Sequence, residues 1–132
     1  QAARYLKRQG AGEVALIAKG SAGPAALLAA AVDPVFARVA VEQSILSYTA
    51  FVEAKLHEGL VNTVIPGILR ETDLPELKPL FEGRRVWLLS PVTPTGAPVL
   101  AKDAAAVYPW AQVRERPEGW ATEKVWRQFL AN

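Results

Sequence analysis

The chain has 132 residues, 51% of them hydrophobic and 21% charged, a composition in the ordinary globular range and a length sufficient for one hydrophobic core. Its 15 basic and 13 acidic side chains give a net charge of +2 and a pI near 9.1. The two signs are interspersed, so no polybasic face is aimed at nucleic acid or anionic lipid. The lack of cysteine excludes disulfides, thiolate nucleophiles and Cys-ligated metals, and a single histidine argues against a His-based metal cluster; neither a metal nor a cofactor is expected.

Residues 1–9 are polar and amphipathic, without the apolar core of a secretory signal. The longest neutral run, 20–32, is shorter than the roughly 18 residues that a spanning helix needs. A soluble chain with no membrane span is expected. A helix already under way at Gln1 reads as a chain that begins inside a larger gene product.

In chain order, residues 2–9 set Tyr5 and Leu6 against Arg4, Lys7 and Arg8, a surface-helix pattern stopped by Gly10 and Gly12. Residues 14–18 are a short apolar strand. A helix is predicted over 21–32, with Pro24 tolerated in the first turn, where its missing N–H costs nothing, and Asp33-Pro34 ends it. Residues 35–41 form a second, almost wholly apolar strand of the kind found in parallel sheets covered on both faces. Together these make a βαβ unit.

Residues 47–60 read as a helix with Phe51, Ala54, Leu56 and Leu60 as its apolar positions, followed by an irregular stretch from Pro66-Gly67. A short helix over 74–81 is N-capped by Asp73 and ended by Glu82-Gly83. A third strand, 86–89, follows Arg84-Arg85, a pair expected to reach solvent, and precedes a loop over 90–96. A helix over 97–108, a fourth strand over 111–114 and a terminal helix over 122–130, with Val125, Trp126, Phe129 and Leu130 as its stripe, complete the chain. The alternation predicts an α/β fold: a three-layer α/β/α arrangement around a short, mostly parallel sheet of about four strands.

Three stretches carry a family resemblance: "VALIAKGSAGPAALLAAAVDP", "FARVAVEQSILSY" and "PGILRETDLPELKPLFEGRRVWLLSPVTPTGAPV". They resemble the second half of an α/β-hydrolase, closest to the dienelactone hydrolase and acetyl-xylan-esterase-like group. The resemblance spans nearly the whole of 1–132, which then forms one partial domain equivalent to the C-terminal half of such an enzyme. It implies a nucleophile in a strained strand-to-helix turn flanked by small residues. With Gly20 at the apex the flanks are Ala18 and Ala22, and the nucleophile is gone. With Ser21 at the apex the flanks are Lys19 and Gly23, and Lys19 is forced into the crowded side. The first register is preferred, because glycine also relieves backbone strain there. The resemblance further sets Thr93 near the catalytic-acid position and Trp120 near that of the base, so neither carries its function. Its other implication is an oxyanion hole that draws partly on earlier strands.

The leading expectation is therefore an esterase-like domain with a degenerate triad and a structural or oligomer-forming role. The alternative is an ester hydrolase acting on small acyl esters, with Ser21 as nucleophile, His57 as base and Glu53 or Glu58 orienting the imidazole. Against it, Ser21 reads as a helix N-cap or first-turn residue and His57 as a solvated helix residue. A third reading takes Ala18-x-Gly20-x-x-Gly23 as a dinucleotide fingerprint, with Glu42 as the ribose acid. Trp87, Trp110, Trp120 and Trp126, with Tyr108 and Phe129, are read as packing rather than sugar-stacking residues. Lastly, a half-sheet exposes the edge of its first strand. A covering partner is expected: a second copy, a preceding half of the same gene product, or another subunit.

Overall fold

Val14, Leu16 and Ile17 are strand formers, and Val14–Lys19 is the first strand, β1, of the computed structural model, which describes residues 1–59 and 61–131. Phe36–Glu42 (β2), Arg85–Leu89 (β3) and Gln112–Arg114 (β4) complete a four-stranded, all-parallel sheet in the order β1-β2-β3-β4. Lys19 is level with Glu42, and Glu42 with Leu89, so the carboxyl ends of the first three strands form one rim.

Strand alternation sorts the side chains onto two faces. Val39, Val41, Val86 and Leu88 join one apolar cluster, and Ala40 and Trp87 the other. Helix α2 (Gly23–Val32) and the 3-10 segment Leu74–Phe81 cover the first face through Leu27, Ala30, Leu74, Leu77 and Phe81. Helix α5 (Thr122–Ala131) covers the second, with the Phe129 ring edge-on to Trp87 at 5.1 Å. The result is a helix–sheet–helix sandwich, with α1 (Ala2–Arg8) beside β1, α3 (Tyr48–Glu53) after β2, and α4 (Ala101–Val107) packed by β4.

Four predicted helices differ, each for a local reason. The helix expected over 47–60 is only α3: Ser47 caps its start through a bond from the Ala50 amide, and Ala54 is already extended. Leu56 is exposed, and Leu60 lies outside the described residues. The 97–108 helix starts at Ala101, because residues 97–99 fold back on the preceding loop: the Thr93 amide donates to Ala97 O, and that of Val99 to Pro91 O. The 74–81 segment is 3-10, since Pro79 interrupts the α pattern while Asp73 and Glu76 form a capping box. The helix expected from Ser21 begins at Gly23, after a 3-10 turn over Gly20–Ala22, and Ser21 makes no side-chain cap.

Asp73 is the hub between layers. Its carboxylate caps Leu74–Phe81 and also accepts from Ser47 Oγ at 2.6 Å and the Tyr48 amide at 2.7 Å, so it holds the starts of two elements. Burial pushes its carboxyl pKa up, but the bonds from Ser47, Tyr48, Leu74 and Thr49 outweigh it and hold the group below its ordinary value. Asp33 makes the expected turn, accepting from the Val35 amide.

The two sheet edges differ. β4 is three residues long, with Gln112 and Arg114 exposed, a composition that discourages further pairing. β1 has six residues, five of them apolar, and pairs only with β2.

Candidate functional site

The rim at the carboxyl ends of β1, β2 and β3 is where ligands bind in open parallel α/β sheets. A cleft of about 560 Å³ opens there, lined by Lys19, Gly20, Ser21, Gln43, Glu58 and Gly96, among others. Each of the three strands is followed immediately by a residue with positive φ: Gly20 at +58°, Gln43 at +51° and Ser90 at +45°. For Gln43 and Ser90 this is a backbone cost, and such outliers concentrate at functional sites. Both are held by cross-strand bonds, Gln43 N to Leu89 O at 2.9 Å and Ser90 N to Arg114 O at 2.8 Å.

Gly20 stands at the apex between β1 and the 3-10 turn, with open space where a Cβ would project. Gly23 is constrained by contact instead, since a Cβ on it would lie 2.3 Å from Ser44 Oγ. Ser21 lines the cleft from within the turn.

No protein-family model matches the chain, and no curated protein or solved structure does either. What the site can do is set by its own geometry.

That geometry brings together only some of the candidate residues. The loop carrying Thr93 borders the cleft through Gly96 and Val92, and Thr93 spends its hydroxyl inside that loop, accepting from the Ala97 amide and bonding Thr95 Oγ1. The excursion after α3 supplies Glu58 and Gly59 to the cleft, with the Glu58 amide tied to Pro94 O at 3.0 Å. His57, expected to be a solvated helix residue, lies beyond the end of α3 and stacks on Phe51 at 4.1 Å with Nε2 2.6 Å from Phe51 O. Nε2 so placed donates its proton to that carbonyl, and His57 is not among the residues that line the cleft with Ser21. Glu53 is exposed in the last turn of α3 and lies outside the cleft lining.

Trp120 is held on the α5 side. Its carbonyl accepts from Arg116 Nε and Nη2, Lys124 Nζ sits 4.0 Å over its ring, and it lines a separate, smaller cavity with Trp87 and Arg114. Trp87, Trp110 and Trp126 pack into the two apolar clusters.

Sequence reasoning missed Arg116. Glu42, only 1% exposed, ends β2 with its carboxylate turned into the protein, where Arg116 Nη1 meets Oε1 at 2.5 Å. Lys19 Nζ is 3.9 Å from Oε2, which has no hydrogen-bond partner. The carboxylate proposed for a ribose is thus engaged by Arg116, and Pro24 removes an amide from the first turn of α2. Among the described residues no group of His, Cys, Asp and Glu could hold a metal ion, and no helix is long and apolar enough to cross a membrane.

Proposed function

We propose that this chain is an esterase-like α/β-hydrolase domain, corresponding to the C-terminal half of that fold, whose triad is not intact and whose role is structural or assembling. The observation that carries this reading is Gly20: the left-handed apex between β1 and the helix, where a nucleophile would stand, bears no side chain. The tight contact between Gly23 and the Ser44 side chain does not separate the two registers, since Gly23 is the flank when Ser21 is the apex and directly follows the flank Ala22 when Gly20 is. Neither Thr93 nor Trp120 supplies an acid or a base. The open, apolar edge of β1 supports the assembling role, through a second copy, a preceding half of the gene product or another subunit.

The competing reading, hydrolysis of small acyl esters by Ser21, draws on Ser21 lining the same cleft as Glu58. The discriminating experiment is turnover of a short-chain p-nitrophenyl ester by the wild type and Ser21→Ala in parallel. The degenerate reading expects the same background rate from both, owing to oriented amides alone. Turnover lost in Ser21→Ala, with the circular dichroism spectrum retained, would establish Ser21 as the nucleophile and overturn it.

A further inference from the structure

At the opposite end of the sheet, the amino ends of the strands border an open, polar cavity of about 440 Å³, lined by Arg38, Arg84, Arg85, Glu13, Trp110 and Gln112, among others. The sequence reading sends Arg84 and Arg85 to solvent; both are half-buried. Arg84 is half-buried and donates to Ala30 O at 2.6 Å, to Phe36 O at 3.3 Å and to Leu80 O, closing the carboxyl end of α2. That is a structural task. Arg85 has no such task.

The register explains why Arg85 is unusual. Arg38 on β2 and Arg85 on β3 are directly paired positions of adjacent parallel strands, so their side chains leave the sheet on the same face. Like charges placed side by side repel unless a counter-charge intervenes. Glu13 provides one for Arg38, with its Oε2 2.7 Å from Arg38 Nε, and that bond holds the Glu13 carboxyl below its ordinary pKa. Leu130 O takes Arg38 Nη1 at 2.8 Å. Arg85 Nη1, by contrast, is enclosed without a hydrogen-bond partner. Nη1 is walled off by protein, and the guanidinium as a whole carries an uncompensated charge whose planar fork matches an oxyanion better than any other side chain. Three arginines therefore line the cavity against one carboxylate: Arg84 is committed to backbone carbonyls and Arg38 to Glu13 and Leu130 O, whereas among the described residues no hydrogen bond or ion pair engages the Arg85 guanidinium.

We propose that this cavity binds the phosphate group of a small phosphorylated molecule, with Arg85 as the principal ligand and Arg38 beside it. The volume falls in the range of small-molecule sites and exceeds what a lone oxyanion fills. Trp110 and Gln112 line the same cavity and border the space that the rest of the molecule would fill. The site is at the far end of the strands from the cleft around Gly20, so it stands independently of any esterase chemistry.

The test is calorimetric titration of the whole chain with inorganic phosphate and with phenyl phosphate, at ionic strength matched by chloride. Saturable one-to-one binding of both is expected, tighter for phenyl phosphate, together with a thermal midpoint raised above that in matched chloride. Arg85→Gln is expected to weaken binding at least tenfold, while Arg85→Lys, which keeps the charge, weakens it less. If Arg85→Gln does not fold, the Lys variant and the wild-type thermal shift still decide. Absence of saturable heat and of any phosphate-specific thermal shift in the wild type would overturn the proposal, as would binding unchanged in either variant. Phosphate binding without a gain for phenyl phosphate would reduce the ligand to the free ion and remove the role given to Trp110.

Discussion

Arg116 reaches past the end of β3 to place Nη1 2.5 Å from Oε1 of Glu42, joining the end of β2 to the chain that follows β4. The same guanidinium donates to Trp120 O and Thr122 Oγ1, so one side chain fixes the connection into α5. Removing one member of a buried ion pair strands the other, which costs about 3–5 kcal/mol, whereas replacing both by apolar groups costs far less. Lys19 gives Glu42 little relief, because its half-exposed ammonium is 3.9 Å away and solvated. Arg116→Met is thus expected to lose about 3 kcal/mol or more in urea unfolding, and Arg116→Met/Glu42→Leu to recover most of that loss. A single-variant loss below about 1 kcal/mol would show that the pair is not a clamp.

The two glycines of the β1–α2 turn are needed for different reasons, and substitution separates them. At Gly20, alanine meets no atom but must adopt φ +58°, an expected cost of about 1–2 kcal/mol that asparagine largely avoids. At Gly23, φ is ordinary, and the added carbon falls 2.3 Å from Ser44 Oγ and 2.5 Å from Ser44 Cβ. Overpacking of this kind costs about 1–3 kcal/mol. Ser44→Gly should therefore rescue Gly23→Ala and leave Gly20→Ala unrescued, as read from thermal midpoints of the four single and double variants.

Asp73 should give the fold an acid-sensitive joint. Its folded-state pKa is depressed, so its contribution is fully present above the unfolded carboxylate value of about 3.9 and is lost as pH falls through the lower folded value. Protonation removes acceptors from Ser47 Oγ and the amides of Tyr48 and Leu74. Asp73→Ala is expected to cost about 2 kcal/mol at neutral pH and to flatten the stability profile between about pH 5 and the acid limit. A variant whose profile keeps the wild-type slope in that window would assign the acid sensitivity to other carboxylates.

The first three strands were legible because they are short, mostly apolar runs beside turn residues: Val14 to Ala18 between Gly12 and Gly20, and Val86 to Leu89 after Gly83. The helices were less so where tertiary bonds override local pattern. Nothing local in residues 54–59 announces that the chain turns away to lay His57 on Phe51, nor do residues 97–99 announce that they are claimed by Thr93 and Pro91. Of the site, the glycine apex was readable from residue size. Gln43 and Ser90 were not, because neither residue type signals positive φ and their conformations are fixed by bonds to neighbouring strands. Arg84 and Arg85 show the same limit: a basic pair before a strand says nothing about which carbonyls or cavities lie within reach.

An edge strand of six residues with one charge, at its very end, leaves a row of backbone donors and acceptors available to another strand, and β4 shows how this same sheet limits such pairing with a short, polar edge. Apolar surface continues beside β1: Leu6, Ile17 and Leu130 line a groove of about 370 Å³ along it, with Leu6 and Leu130 largely exposed. The chain is expected to sediment as an associated species across the micromolar range. Ala15→Lys, whose stem can lie along the groove while its ammonium reaches water, should shift it toward monomer with the circular dichroism spectrum retained. A wild-type chain that sediments as a stable monomer throughout would mean that this edge is tolerated in water, and would remove the physical reason for an assembling role.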